Sequence, residues 1–337
     1  MLNPEIALDP GTSGLRIYID GKGVVVNEPS SIAVDVRDEA VLASGREARQ
    51  LVDRAAKVVE VRDVFSWGKV QNFPMASYLL NKHIKKIASG RISLPAAYIS
   101  APDDMTAVER QAFVEIMGDN GIHKVYFLNE GCCAALGAGR NIFTDDPVLV
   151  LDMGKSRSSC TVCRKGVPEI SASLNLGGKD MDEALIRMVL KKYGIQTGHL
   201  TIEDLKMRTV SALTPEKDVF CEVRGMDIRT CMPKKEIVSS ADSSAAISGI
   251  LGQIADLVLD VMAQLDDNSL KKLAANGLTI VGGGAKIDSL DRYMHRLTGL
   301  NVFIPTRPEL AAINGASRIF DLKDKRARNA LIRYKGA

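Results

Sequence analysis

The stretch VLVLDMGKSRSSCTVCRKG, residues 148–166, reads as a buried apolar strand, an aspartate, a polar turn and a second strand. It contains Gly-Lys-Ser, the tripeptide that ends a phosphate-binding P-loop. A P-loop also needs a glycine five residues before Gly154, so that successive backbone N–H groups can wrap the phosphates. Leu149 stands there, and the P-loop reading fails. What remains is a strand ending at Asp152, then Gly154, and a loop whose purpose has to be sought elsewhere in the chain.

The stretch IALDPGTSGLRIYIDGKG, residues 6–23, repeats the pattern: apolar strand, Asp-x-Gly, short polar loop, second strand, Lys-Gly turn. Asp9 lies 14 residues before Gly23, and Asp152 lies 14 before Gly166. The two halves of the chain therefore begin with the same predicted hairpin. Glycine in such a loop lets the backbone come close to an anion, and neighbouring N–H groups then form a nest for phosphate oxygens. An aspartate at the strand end can hold a magnesium ion through water. A third segment, LTIVGGGAKIDSL (residues 278–290), is a strand, a triple glycine and a helix start, a place where backbone approaches a ligand.

Composition bounds the alternatives. The 337 residues, 46% hydrophobic and 25% charged, suffice for two ordinary domains. A net charge of +3, without an arginine-rich run interleaved with aromatics, predicts no nucleic-acid partner. No stretch is read as approaching the roughly 18 apolar residues of a membrane span, and the chain is expected to be cytoplasmic. Cys160 and Cys163 form a C-x-x-C, but residues three apart on a strand face opposite ways and no second pair or nearby histidine completes a metal site. They are read as small core residues. The four histidines are scattered and suggest no triad.

The paired hairpins, VERQAFVEIMGDNGIHKVYFLNEGCCAALGAG (108–139), LNLGGKDMDEALIRMVLKKYGI (174–195), IEDLKMRTVSA (202–212) and the triple-glycine segment together resemble the actin, sugar kinase and heat-shock chaperone ATPase superfamily. Within it they closely resemble MreB, the bacterial actin, from about residue 5 to about 320. The resemblance implies an α/β, actin-like fold of two related, RNase H-like lobes, each with an inserted small subdomain and a nucleotide cleft between them. Subdomain IA is expected at 1–30, 66–145 and 316–337, IB at 31–65, IIA at 146–178 and 245–315, and IIB at 179–244. The periodicity independently predicts a helix over about 245–266, and irregular strands and turns over 213–240.

The resemblance also implies ATP or ADP with Mg2+. On the matching positions, Asp9, Gly11, Thr12, Ser13 and Gly14 form the first phosphate loop, and Asp152, Gly154, Lys155 and Ser156 the second. Asp9 and Asp152 hold the metal through water. Glu130 orients the attacking water, a task for a carboxylate that can accept its proton. Gly177, Asp180, Glu203, Lys206, Gly283, Gly284 and Lys286 contact the adenosine.

The second loop departs from the family. Lys155 and Ser156 replace glycines, and Arg157 and Ser158 replace paired threonines. If those glycines sat at positive φ, each replacement strains the backbone by roughly 1–2 kcal/mol or the loop has changed shape. Lys155 and Arg157 either reach the phosphates as charged side chains or are solvated loop cations. Pro10, Gly131, Asn72 and Arg208 also differ from the family pattern, in the direction of weaker chemistry.

The implied function is an ATP-binding, filament-forming protein that supports cell shape and cell-wall synthesis, with slow or lost hydrolysis. Its partners would be copies of itself, other MreB-family filaments and membrane proteins of cell-wall synthesis, at or near the inner face of the cell membrane. Two features bear on peripheral membrane contact: Ile92 and Leu94 in the 88–97 loop, and the stretch 321–337, with six Lys or Arg against two Asp. The rival readings are a nucleotide-binding adaptor of a conventional MreB filament and a small-molecule kinase of the same superfold.

Overall fold

A computed structural model describes residues 4–53, 58–88 and 94–336. Two sheets with the same plan dominate it. In the first, strand Ile6–Pro10 pairs antiparallel with Leu15–Ile19, which pairs with Gly23–Glu28. On its other side run Ala97–Ala101 and Val125–Asn129, both parallel to it, and Ile332–Lys335 closes the edge. In the second sheet, Val148–Met153 pairs antiparallel with Ser158–Arg164, and that with Val167–Leu174; Leu278–Val281 and Val302–Phe303 lie parallel on the other side. The two hairpins share one register, Asp9 lying opposite Arg16 and Asp152 opposite Ser159.

The residue pattern explains these strands. Ile6–Pro10 is buried along its whole length, as a central strand covered on both faces must be, whereas Leu15–Ile19 alternates buried and half-buried side chains. Cys160 faces the core of the second lobe and Cys163 the apolar layer between the sheets, so the period-2 reading of the C-x-x-C holds. Among the described residues no group of three His, Cys, Asp or Glu is placed to hold a metal.

Two short helices, Glu130–Gly137 and Ala311–Ser317, fill the space between the sheets, packed with Ala7, Leu128, Val150 and Val281. They cross so closely that a Cβ on Gly137 would lie 1.8 Å from the Ala311 carbonyl oxygen, and one on Gly315 1.7 Å from that of Cys133. Only glycine permits that approach. Glu130 opens the first of these helices, so this tight crossing also sets the position of its carboxylate. Small three-stranded sheets extend each lobe: Ser31–Asp35 with Val41–Ser44 and Val59–Asp63, and Ile195–Gln196 with Phe220–Asp227 and Pro233–Ser239.

Several expectations need correction. The helix expected over 245–266 spans Ser240–Met262, because the Ser239 hydroxyl accepts the Asp242 N–H and caps it earlier. That helix is long and apolar enough to cross a membrane, with a mean hydropathy of 1.6, contrary to the reading of no such stretch. It buries Ile247, Leu251, Ile254, Val258 and Val261 in the second-lobe core, which accounts for its apolar character. Leu94 is 2% exposed and packed in the first-lobe core, unavailable for insertion, while Ile92 lies outside the described residues. The basic stretch 321–337 is not a free tail: Lys325–Leu331 is helical, Ile332–Lys335 joins the first sheet, and Arg328 and Arg333 pair with Glu5 and Asp103.

Candidate functional site

The loops of the two hairpins meet. Thr12 Oγ1 and Ser156 Oγ share a hydrogen bond of 2.7 Å, both side chains being buried. Around that contact lies a narrow chamber of about 80 Å³ whose walls include Asp9, Gly11, Ser13, Glu130, Asp152 and Gly154. Ser13, Gly154, Lys155 and Gly283 also line the large cleft beside it, about 1030 Å³, where Glu203, Lys206, Gly284 and Lys286 lie. A polar chamber small in volume thus opens beside one large enough for a nucleoside.

The first loop takes its shape from its own lobe. Arg16 donates to Asp9 Oδ2 at 2.8 Å, and the Ser30 hydroxyl donates to the Gly11 carbonyl at 2.8 Å. A Cβ on Gly14 would stand 3.0 Å from the Glu28 carbonyl oxygen, so the loop rests on the third strand.

The second loop answers the question of the lost glycines. Neither Lys155 nor Ser156 adopts positive φ, and the strain that depended on it does not arise. The turn closes instead through Gly154 N–H donating to the Arg157 carbonyl at 2.8 Å. Lys155 and Arg157 line the chamber, and both are also paired with carboxylates. The Lys155 ammonium donates to both carboxylate oxygens of Asp63 at 2.7 Å, and Arg157 to Asp104 at 2.8 Å.

The carboxylates Asp9, Glu130 and Asp152 share the chamber walls with the cations Arg16, Lys155 and Arg157. Burial, then the negative charge of Asp152, pushes the Glu130 carboxyl well above the ordinary carboxylate range. Burial, then the charge of Asp9, raises Asp152 in the same direction. Arg157 opposes both shifts, and Arg16 opposes that of Asp152 ahead of it, without cancelling them. Such a cluster suits a hydrated divalent cation. Mg2+ keeps several waters and takes one or two carboxylates plus phosphate oxygens. Asp9 and Asp152 would hold it, and bound there it would neutralise developing phosphate charge.

The cleft holds part of the expected adenosine set. Lys206 pairs with Asp182 at 2.7 Å and donates to the Gly178 carbonyl at 3.0 Å; Lys286 pairs with Glu309 at 3.0 Å; Glu203 pairs with Arg49 of the other lobe. Asp180 is turned to a structural task, accepting the Gly177 N–H at 2.8 Å to cap helix Gly178–Tyr193. Gly177 packs against the second loop, where a Cβ would lie 2.6 Å from the Gly154 carbonyl. The remaining departures have local reasons. Asn72 accepts the Met75 N–H at the start of its helix, Arg208 pairs with Asp204 one turn away, and Gly131 leaves room for Thr161, whose Oγ1 would be 2.3 Å from a Cβ.

The residue that sequence reasoning missed is Arg16. Its signal was present, because a hairpin that places Asp9 and Leu15 on facing strands puts Arg16 opposite the aspartate. Asp63, Asp104 and Trp67 were missed as well, and they lie dozens of residues from their partners.

A family profile described as MreB/Mbl protein matches residues 3–328. The chain is 28% identical to the cell shape-determining protein Mbl of Bacillus subtilis, over 96% of this chain and 98% of that protein. It is 27% identical to the cell shape-determining protein MreB of Escherichia coli, over 96% and 95%. Among solved structures it resembles MreB5 of Spiroplasma citri bound to ADP, with a TM-score of 0.91 and 26% identity over 97% of this chain and 98% of that one. The same protein bound to AMPPNP matches with the same score, over 98% and 100%.

Proposed function

The chain belongs to the MreB/Mbl family of cell shape-determining proteins and has the actin-like fold, and on that premise we propose that it binds ATP with Mg2+ between its lobes and assembles into filaments. The observation that carries this reading is the convergence of two equivalent hairpin loops on one carboxylate-bearing chamber beside the large cleft. The likeness to an MreB bound to ADP and to AMPPNP supports it. The phosphates would lie between the loops and the nucleoside among Glu203, Lys206, Gly283 and Gly284. The lobe insertions 31–65 and 179–244 would be the small subdomains IB and IIB that close over it. The protein would work in the cytoplasm beside the membrane, alongside cell-wall synthesis.

Hydrolysis would be slow. Glu130 is positioned to orient water, but burial and the Asp152 charge favour its protonated form, so its action as a base would depend on a cation held by Asp9 and Asp152.

Sedimentation with electron microscopy, run with Mg·ATP, Mg·ADP and no nucleotide while phosphate release is recorded, tests the reading. Filaments with little phosphate release are expected. No assembly alone, but co-sedimentation with a conventional MreB, would replace self-assembly with the adaptor role. Phosphate transfer to a sugar would replace both.

A further inference from the structure

Three consecutive residues of the second loop each bind the opposite lobe. Lys155 reaches Asp63, at the end of strand Val59–Asp63, with both contacts at 2.7 Å. Ser156 bonds Thr12 at 2.7 Å and accepts the Trp67 N–H at 3.0 Å. Arg157 reaches Asp104 at 2.8 Å. We propose that residues 155–157 are a clasp that holds the two lobes closed through protein–protein contacts alone, so that closure does not depend on bridging phosphates. The proposal rests on the reading of the cleft as a nucleotide site between two lobes.

The environment favours a clasp over incidental surface pairs. The Ser156 residue is 5% exposed, the Arg157 side chain 10% against 56% for its partner Asp104, and Lys155 and Asp63 about a quarter, so the Ser156 and Lys155 contacts are the sheltered ones. Solvent screens such pairs less than exposed ones. Opening the cleft would leave the Thr12 and Ser156 hydroxyls to find new partners. None of the three residues has positive φ, so the loop makes these contacts without left-handed backbone strain. Two further contacts act at the cleft mouth in the same sense: Arg49 pairs with Glu203, and the Leu200 N–H donates to Asp53 Oδ2 at 2.8 Å.

The consequence is a changed switch. A ligand shifts a conformational equilibrium only by its differential affinity for the two states. If the clasp already favours the closed state, nucleotide adds little further closure, and exchange of ATP for ADP leaves the lobes where they were. This loop has exchanged groups suited to phosphate for groups that bind the facing lobe.

The test labels native Cys231, an exposed cysteine, and a second cysteine introduced by Asp38→Cys on the other small sheet, and measures their separation by pulsed electron paramagnetic resonance. The parent should give one distance distribution without nucleotide, with Mg·ADP and with Mg·AMPPNP. The triple variant Lys155→Ala, Ser156→Gly, Arg157→Ala should shift to longer distances when nucleotide-free. The exchange Asp63→Lys with Lys155→Asp should return the short distance that Lys155→Asp alone loses, which separates a broken clasp from a damaged fold. A nucleotide-free parent as open as the triple variant, or a triple variant as closed as the parent, would overturn the clasp. A parallel ATP titration reads the nucleotide site separately: if no form binds, the functional reading falls while the nucleotide-free distances still decide the clasp.

Discussion

The two hairpins are built on one register and differ most at the position facing the aspartate. Opposite Asp9 stands Arg16, 2.8 Å from its carboxylate; opposite Asp152 stands Ser159, which brings no charge. The first hairpin therefore supplies its own cation, and its Asp9 and Arg16 also act on Asp152 across the cleft in opposite directions. The second leaves Asp152 buried beside Asp9 with its pKa raised, and sends its own cations, Lys155 and Arg157, to carboxylates on the facing lobe. The same backbone device thus serves two ends: one loop is a fixed platform, the other a bridge.

Six substitutions would break or sharpen that contrast. The largest effect is expected for Glu130→Gln, where phosphate release should fall by about 10²–10⁴-fold. The same change should raise stability near pH 8. A carboxyl whose folded pKa is raised binds its proton more tightly in the fold than in the unfolded chain, so the parent loses stability as pH climbs from the ordinary carboxylate range through the raised value. Glutamine removes that loss, so thermal unfolding should separate the two proteins at pH 8 and bring them together toward pH 4.

Next comes Arg16→Met, which leaves Asp9 buried without its partner. Its side chain is 11% exposed, and breaking such a pair costs about 3–5 kcal/mol, readable by urea denaturation. Ser159→Ala, the equivalent site in the second hairpin, should change little by comparison.

Glycines give the third contrast. Gly282, where the triple-glycine segment meets the second hairpin, has φ +81, and a Cβ there would lie 2.4 Å from Asp152 Oδ1 and the Met153 carbonyl. Gly282→Ala should cost about 2–5 kcal/mol from left-handed strain and overpacking together. Gly11→Ala, with 3.2 Å to the Gly14 carbonyl and ordinary φ, should cost about 1 kcal/mol. The smallest effect is expected for Arg62→Ala. Its exposed pairs with Glu39 and Glu60 play no part in the loops, and its stability should stay within about 0.5 kcal/mol of the parent.

What could be read from the chain follows from range. The hairpins, the 14-residue spacing and the triple-glycine turn are local patterns of strand, turn and glycine, and each lies where local chemistry puts it. The helix Ser240–Met262 was legible in type but not in its start, because Ser239 is a cap only once the preceding strand has ended there. The polar partners of the second loop were not legible. Lys155 to Asp63 spans 92 positions and Arg157 to Asp104 spans 53, and no periodicity connects them. The two readings of Lys155, phosphate ligand or solvated cation, weigh its charge without the carboxylate of the other lobe that pairs with the ammonium. The C-terminal stretch is a similar case: its basic residues suggest membrane contact from charge alone, and that count does not show that Ile332–Lys335 pairs with Val125–Asn129 as an edge strand.

The central claim is that a nucleotide sits where the two hairpin loops meet. Calorimetric titration of Mg·ATP into the protein and into Ser13→Asp tests it most directly, because Ser13 lines both the narrow chamber and the large cleft. The account predicts one site per chain, weakened at least about tenfold when a carboxylate replaces the hydroxyl beside the phosphates, a loss of about 1.4 kcal/mol or more. No binding at millimolar ATP, or equal binding by both proteins, would contradict it.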